Sequence, residues 1–562
     1  MPSKRGEQVF DLGALVLLCA TLFLLPFERP LPLVALAGTV VTNLEAVLLL
    51  TLTVWLCGVL WRRSFQPPFF IWPAAVIVLA VFLSALAVPS FQVGALKVAT
   101  RWSLGVVFAV ALADSVVRTR AHRPDFAAIV LGAVAAAALG LLEIGGVPWA
   151  AEFLALFKDA PAQLGPTARL SATFGSANAA AMLFEIALCL AVGLALDAAY
   201  RRRRTAQVAC AACLAVLAAA LALTYSRGGI AAAVVGLIVA ALLSLPYLEQ
   251  LDGRRLSLTI LAPGAVVAVV LALNAVLPAR LAVWDARPLD GAVVAAPQAL
   301  MVEAGSVLPV SVTVTNTGRL KWQADGPGRV ALSYHWLTQD KRGVAEWDNA
   351  RLALPADVPP GGTVTLEAPL VAPIAGRYAL AWDVVHAPDE WLGARTAMPG
   401  WTTVVTTGTG GIPFPPTSTG EAPSPPPDRT LLWRAALKMV RERPLLGVGP
   451  GNFRHLYGTY LGMTTWDDRI LANNLYLEIL ADMGAVGFLA WSWLFISVGT
   501  YTWRSRSVRE QWPFAVAVLA ALAAWLTHGL TDVAFETSGI YLLLWALVGL
   551  AASLSTNPDV HP

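Results

Sequence analysis

An arginine stands between two long apolar runs at residues 224–230, "TYSRGGI", with a serine before it and two glycines after it. A guanidinium fork beside the unpaired N–H groups of a starting helix is the chemistry of an anion site, and a phosphate suits it well. The plain alternative is that Arg227 snorkels to lipid headgroups. A second arginine, Arg429, opens "RTLLWRAALKMVRERPLLG", with Arg434 following on the same segment. Groups able to position or deprotonate a hydroxyl lie further along: His455 in "GNFRHLYG", and Asn473, Asn474 and Glu478 in "RILANNLYLEIL". Asn474 and Glu478 are one helical turn apart and share a face. Arg169 and Asn178 flank the entry to an apolar run, Lys97 and Arg101 sit one turn apart in another, and Glu185 lies inside a third. Charges in such runs are paired or face a wet cavity. Glu185 is therefore expected to tie Arg101 structurally, or else Lys97 and Arg101 extend a phosphate cradle. The polar segment contains no His-x-x-x-His, Asp-x-Asp or cysteine cluster, so no metal and no other cofactor is expected. All five cysteines fall in apolar segments. Cys210 and Cys213, a lone C-x-x-C among alanines, read as helix-packing residues.

The elements that must position these groups are set by composition. Hydrophobic residues make up 57% of the 562-residue chain and charged residues 13%, where a soluble chain carries about 25% charged. Apolar stretches of spanning length recur toward both ends. They place membrane helices near 10–27, 43–61, 70–89, 93–115, 124–145, 173–199, 206–224, 229–247, 256–277, 484–503, 512–530 and 538–554. The basic start, Lys4 and Arg5, precedes an apolar run with no small-x-small cleavage pattern, so it reads as a first span rather than a signal peptide. The arginines test this map. Arg62 and Arg63, Arg118 with Arg120 and Arg123, Arg201 to Arg204, Arg254 and Arg255, and Arg504 with Arg506 all follow even-numbered spans. The positive-inside rule makes that side cytoplasmic. The expected fold is a polytopic α-helical membrane protein of about twelve spans, with the large polar segment outside. The net charge of +3 is spread over these clusters, and no basic run is interleaved with aromatics, so no nucleic-acid partner is expected.

Between the spans the pattern changes from helical to period two. "PVSVTVTNTG", "RVALSYHW", "TVTLEAPL" and "RYALAWDVV" alternate apolar and polar residues, with Pro-Pro-Gly-Gly at 359–362 as a turn. This predicts an all-β antiparallel sandwich over 290–405. Its tryptophans, Trp322, Trp336, Trp382 and Trp391, are expected in the core, although a sugar-stacking surface is the alternative. A Pro/Ser/Thr/Gly-rich linker occupies 406–428. An amphipathic helix follows Arg429, its basic Lys438 and Arg441 facing headgroups. The chain thus divides into a membrane domain over 1–277, the β segment, the linker, a helical outer loop over 429–483, and a second membrane domain over 484–562.

Several of these stretches together resemble one family. "LTYSRGGI", "DRTLLWRAALKMVRERPLLGVGPGNF", "ANNLYLEILADMGAVGFLAW", "TARLSATFGSANAAAMLF" and "LTHGLTDVAFE" are similar to motifs of the O-antigen ligase and Wzy-type polymerase superfamily. The β segment resembles extracytoplasmic Ig-like domains inserted in the large outer loop. The resemblance implies a glycosyltransferase in the bacterial cytoplasmic membrane. Its donor would be an undecaprenyl-pyrophosphate-linked glycan, and its acceptor a glycan, lipid or protein. It further implies that Arg227 and Arg429 hold the pyrophosphate, and that Asn473, Asn474 and Glu478 position or activate the acceptor. Arg169, Asn178, Arg101 and Arg434 would line the substrate cavity. The family carries a histidine beside its Asn-x-Tyr-Leu-Glu segment, where this chain has Leu471 and Asn473. His455 or a carboxylate would then have to replace it. Rival readings are a lipid-linked glycan transporter or flippase, an enzyme using polyprenyl-monophosphate donors, and a non-catalytic glycan binder.

The arginine map makes a topological prediction. Cysteines introduced within 290–460 should react with an impermeant maleimide in intact cells, and those at 201–204 only after lysis. Labelling of 201–204 from outside would invert the map.

Overall fold

The computed structural model describes residues 4–36, 39–119, 122–158, 162–164, 167–250, 291–326, 328–341, 343–387, 390–393, 398–411, 413, 420–421, 427–463, 466–508, 510–533, 535 and 537–554. Helices dominate both ends: α1 (Lys4–Leu24), α2 (Asn43–Arg62), α3 (Ile71–Leu86), α4 (Gln92–Thr119), α5 (His122–Ile144), α6 (Pro148–Leu154), α7 (Ala177–Tyr200), α8 (Arg204–Leu223) and α9 (Arg227–Ser244), then α10 (Arg429–Glu442), α11 (Phe453–Leu461), α12 (Leu475–Ser505), α13 (Trp512–His528) and α14 (Ser538–Ser553). Among the described residues, eight helices are long and apolar enough to cross a bilayer, and α3, α13 and α14 are shorter apolar helices. The expected span over 256–277, with Arg254 and Arg255 beside it, lies outside the described residues. α12 begins nine residues before the expected 484–503 span and bends at Gly484, whose φ of 63° and ψ of −166° break the helix. A β-carbon there would lie 2.4 Å from the Leu445 backbone, so the bend is fixed by close approach of that chain.

The arginine clusters meet at one end of the bundle and are neutralised there. Arg62 bonds Asp11 at 2.6 Å and Asp114 at 2.8 Å, and Arg118 bonds Asp114 at 2.9 Å. Arg123 and Arg201 share Asp197, and Arg201 reaches Glu510. These pairs tie together α1, α2 and α4, and join α5 and the end of α7 to the turn before α13. The opposite ends of the same helices therefore gather on the other side, where the "SRGG" turn sits.

Small residues set the helix packing, as expected where lipid removes the hydrophobic drive for association. A β-carbon on Gly193 of α7 would lie 2.4 Å from the Ala517 Cβ and 2.9 Å from the Pro513 carbonyl oxygen, both in α13. One on Gly236 of α9 would lie 2.7 Å from the Cys189 Sγ and 3.0 Å from the Ala520 carbonyl oxygen. α7, α9 and α13 are thereby pressed together, and α7 is buried almost along its length.

Two short hairpins, β1 (Val34–Leu36) with β2 (Thr39–Val41) and β3 (Gln163–Leu164) with β4 (Thr167–Ala168), interrupt the helices. The remaining strands lie between α9 and α10: β5 (Ala292–Ala295), β6 (Ala299–Glu303), β7 (Val307–Asn316), β8 (Val330–Thr338), β9 (Gly343–Glu346), β10 (Leu352–Ala353), β11 (Thr363–Val371), β12 (Gly376–His386), β13 (Glu390–Trp391), β14 (Gly400–Thr407) and β15 (Gly420–Glu421). One sheet runs β15-β9-β8-β12-β14-β6, with β10 on β8 and β13 on β12, and a second runs β11-β7-β5. Val310, Val312, Val314, Ala368 and Leu370 of the second sheet share a core with Leu332, Tyr334, Trp336, Leu380 and Trp382 of the first. Trp322, Trp336 and Trp382 are fully buried and Trp391 is half-buried. Strict alternation fails on β8 and β12, which are buried on both faces. The outward face is covered by a satellite cluster of Trp347, Met398 and Trp401, beneath which His335 bonds Asp383 at 3.2 Å.

Gly193→Val should lower the thermal midpoint of the detergent-solubilised protein, because overpacking a tight contact costs about 1–3 kcal/mol. Gly499→Ala, where nothing lies within 4 Å, should leave it level or raise it.

Candidate active site at the helix ends

The turn carrying Arg227 is tighter than its glycines suggest. α8 ends at Leu223, Tyr225 takes the left-handed conformation with φ 52°, and Ser226 caps α9 by accepting the Gly229 N–H at 3.2 Å. The reversal is thus made at Tyr225. The glycines serve a different end, since both already belong to α9. A β-carbon on Gly228 would lie 2.4 Å from the Thr531 Oγ1 and 3.4 Å from the His528 Nε2. One on Gly229 would lie 2.7 Å from the Ala181 Cβ and 3.3 Å from the Glu185 Oε2. Their absence lets the start of α9 settle against α7 and the end of α13, while Arg227 itself points outward, exposed.

Below that contact lies a pair that the sequence reading did not assemble. His528 Nδ1 bonds Glu185 Oε2 at 2.9 Å, with both side chains buried. The expectation that Glu185 ties Arg101 is corrected: Arg101 lies over the Tyr541 ring, 4.7 Å from its centroid. Glu185 pairs across α7 and α13, beside the two glycines that begin α9. One signal was present in the sequence, a histidine in the outer turn "LTHGLTD".

Arg169 and Asn178 converge on the same turn. Arg169 donates to the Thr224 carbonyl at 2.8 Å and to the Asn178 Oδ1 at 2.9 Å. Burial pulls the Arg169 guanidinium below its ordinary pKa, and Asp532 nearby opposes that pull. Lys158 braces the segment behind it, bonding Glu143 at 2.6 Å and the Ser171 hydroxyl at 3.1 Å.

Arg429 enters from the other half of the chain. It is the first residue of α10, exposed, and close enough for its charge to act on His528. Asp428 caps the helix, and hydrogen bonds from the Thr430 hydroxyl and the Leu431 N–H hold its carboxyl below the usual range. Trp433, one turn on, donates its indole N–H to the Ala472 carbonyl at 3.1 Å. Glu478 accepts the Ala472 N–H at 2.7 Å, so Ala472 is held at both its N–H and its carbonyl. Arg434 is exposed on α10 near Asp428.

The asparagines are structural anchors of this region. Asn474 caps α12, its Oδ1 accepting from Tyr476 and Leu477, while its amide donates to the Leu530 carbonyl at 3.1 Å. Asn473 takes the left-handed conformation that turns the chain into that cap. Leu475 donates to the Gly529 carbonyl at 2.7 Å, completing a stitch between the start of α12 and the turn after α13. His455 stands apart on α11, stacked on Phe91 and 3.6 Å from Asp468. Asp482 accepts from the Gly451 and Phe453 N–H groups at 2.7 and 2.9 Å, which fixes the "GVGPGNF" loop. A cavity of about 320 Å³ opens beside it, bounded by Arg101, Arg454, Glu478, Asp482 and Tyr541.

The fold and site define a multi-pass helical membrane protein with a β region between its helices and a cationic cluster at the helix ends. Within it, residues 411–492 match the family described as O-antigen ligase. That stretch contains Arg429, His455, Asn473, Asn474, Glu478 and Asp482, and the match supports the superfamily resemblance. No curated protein matches the chain. Among solved structures, an alkylpurine DNA glycosylase AlkC from Pseudomonas fluorescens, bound to DNA containing an abasic site analog, is 11% identical over 60% of this chain and 97% of that chain. Its TM-score is 0.13, which carries no argument.

Asn474→Ala should cost about 1–2 kcal/mol through loss of the cap and speed hydrogen exchange at Tyr476 and Leu477. Asn474→Asp should recover the protection at those two amides, since a carboxylate caps equally well. Equal exchange in both variants would refute the capping role.

Proposed function

We propose that the protein is a membrane glycosyltransferase of the O-antigen ligase or polymerase type. It transfers a glycan from a polyprenyl-pyrophosphate donor to an acceptor hydroxyl outside the cytoplasmic membrane. The observation that carries this reading is the convergence of Arg227 and Arg429, from opposite halves of the chain, around the His528–Glu185 pair. Two exposed guanidiniums suit a diphosphate, and their position at the helix ends suits a headgroup at the bilayer surface.

The acceptor oxygen attacks the anomeric carbon as that carbon's bond to the diphosphate oxygen breaks. The bonding pair leaves with the polyprenyl diphosphate, where Arg227 and Arg429 stabilise the growing charge. The acceptor proton passes to His528 Nε2, since Nδ1 is committed to Glu185 and held in place by it. Arg169 and Asn178 hold the Thr224 carbonyl and so aim the turn that bears Arg227. Asn474 acts at one remove, by tying the start of α12 to the turn after α13. The β region is an Ig-like insertion that recruits the acceptor or a partner.

The test is transfer from lipid-linked glycan extracted from the host membranes, using purified protein. Arg227→Ala should lose about a hundredfold in rate, roughly 3 kcal/mol of transition-state stabilisation. Arg227→Lys should also lose much of it, because an ammonium cannot bind two oxygens at once. Arg429→Ala should behave alike, and the double variant should fall short of additivity. His528→Gln should lose roughly 10²–10⁴-fold in rate while still binding donor. Wild-type turnover by a folded Arg227→Ala protein would leave that arginine a headgroup anchor and end the catalytic reading of the turn.

A further inference from the structure

The cavity beside Asp482 differs in chemistry from the arginine pair. α4 contributes Arg101 and Trp102, α11 contributes Arg454, α12 contributes Glu478 and Asp482, and Phe535 and Tyr541 close the far side. Two guanidiniums face two carboxylates here, whereas Arg227 and Arg429 stand exposed with no ion pair among the described residues. A diphosphate demands an excess of positive charge. A wall carrying both donors and acceptors instead suits hydroxyl groups, which both give and take hydrogen bonds.

The wall is also rigid. Asp482 is fixed by the Gly451 and Phe453 N–H groups, and Glu478 by the Ala472 N–H. Arg101 rests on the Tyr541 ring, while Tyr541 donates to the Arg101 carbonyl at 3.0 Å. Trp102, Phe535 and Tyr541 pack edge to face at 5.7–6.3 Å between centroids. Such a floor is apolar and stiff, as ligand pockets are. The volume of about 320 Å³ lies at the small end of ligand pockets, enough for a terminal sugar and too little for a long chain or a polyprenyl tail.

Position ties this cavity to the transfer site. Asn474 and Leu475 bond the Leu530 and Gly529 carbonyls, so the first turn of α12 has the cavity on one flank and the turn after His528 on the other. Val533 and Phe535, which line the cavity, continue directly from Asp532.

We propose that this cavity is the acceptor subsite, and that it takes the terminal sugar of an uncharged saccharide, gripping its hydroxyls through Arg454, Glu478 and Arg101. The assignment of this sugar as acceptor rests on the transferase reading above, but the binding of a saccharide does not.

Two arms separate them. In the first, neutral and acidic oligosaccharides released from the host envelope are titrated against the purified protein, without donor, by ligand-observed NMR. Neutral fragments should bind, and Arg454→Ala and Glu478→Gln should each weaken them about tenfold, the loss expected for a hydrogen bond to a charged group. Glutamine keeps the oxygen that accepts the Ala472 N–H, so the local fold survives. In the second arm, transfer kinetics with the same neutral acceptor should show KM for the acceptor raised about tenfold and KM for the donor within about twofold of wild type. Unaltered saccharide binding in both variants would overturn the proposal, as would a raised donor KM with the acceptor KM intact. Saccharide binding that the variants weaken, in a protein with no transfer at all, would uphold the sugar site and sink the transferase reading.

Discussion

Everything at the site end of the molecule depends on a glutamate and a histidine buried against each other between α7 and α13. An isolated charge there would be expelled or neutralised at a cost of several kcal/mol. Paired at 2.9 Å, the two instead lock the helices in one register. The pair needs a third wall with no side chains, and Gly228 and Gly229 provide it. The same contact presses the start of α9 against Glu185 and His528, and Arg227 beside it faces the surface.

Much of the helical layout was legible because lipid imposes a simple rule: a span must be long, apolar and helical, and its flanking arginines stay on one side. Period-two text from "PVSVTVTNTG" to "RYALAWDVV" was equally direct, because each strand buries one face against a common core. It misled on β8 and β12, whose outer faces are covered by Trp347, Met398 and Trp401, and on β6, which runs parallel to β14. The site was legible in part. Arg227 and Arg169 could be singled out as charges in unusual places, yet nothing local showed that Arg169 serves the Thr224 carbonyl. Glu185 was noticed and given the wrong partner, because His528 lies 343 residues away and no spacing rule reaches that far. Asn474 was singled out for chemistry, and its place just before an apolar helix also makes it a cap. Nothing local showed that the glycines after Arg227 are required by the close approach of two other helices.

α12 shows how one element serves both membrane and site. Its first turns carry Asn474, Glu478 and Asp482, each holding a separate piece of chain: the turn after α13, the Ala472 peptide under Trp433, and the glycine loop before α11. The bend at Gly484 then frees the rest of the helix to follow the bundle. Without that bend, the direction that suits α3 and α13 would swing those three side chains away from their partners. The break in the helix is therefore what lets a membrane element organise a surface site.

The two ends of the bundle treat charge in opposite ways. At the basic end, Arg62, Arg118, Arg123 and Arg201 each meet a carboxylate, and Asp114 and Asp197 each serve two arginines. Those charges hold helices together and are largely spent in doing so. At the site end the carboxylates are spent differently. Asp428 and Asp482 accept from backbone N–H groups and hold helix starts, Glu478 accepts from Ala472, and Glu185 is taken by His528. Few acidic groups remain to neutralise Arg227 and Arg429. A folded chain that commits its carboxylates to backbone and histidine keeps its guanidiniums available, and an available guanidinium at a membrane surface is a group waiting for an anion.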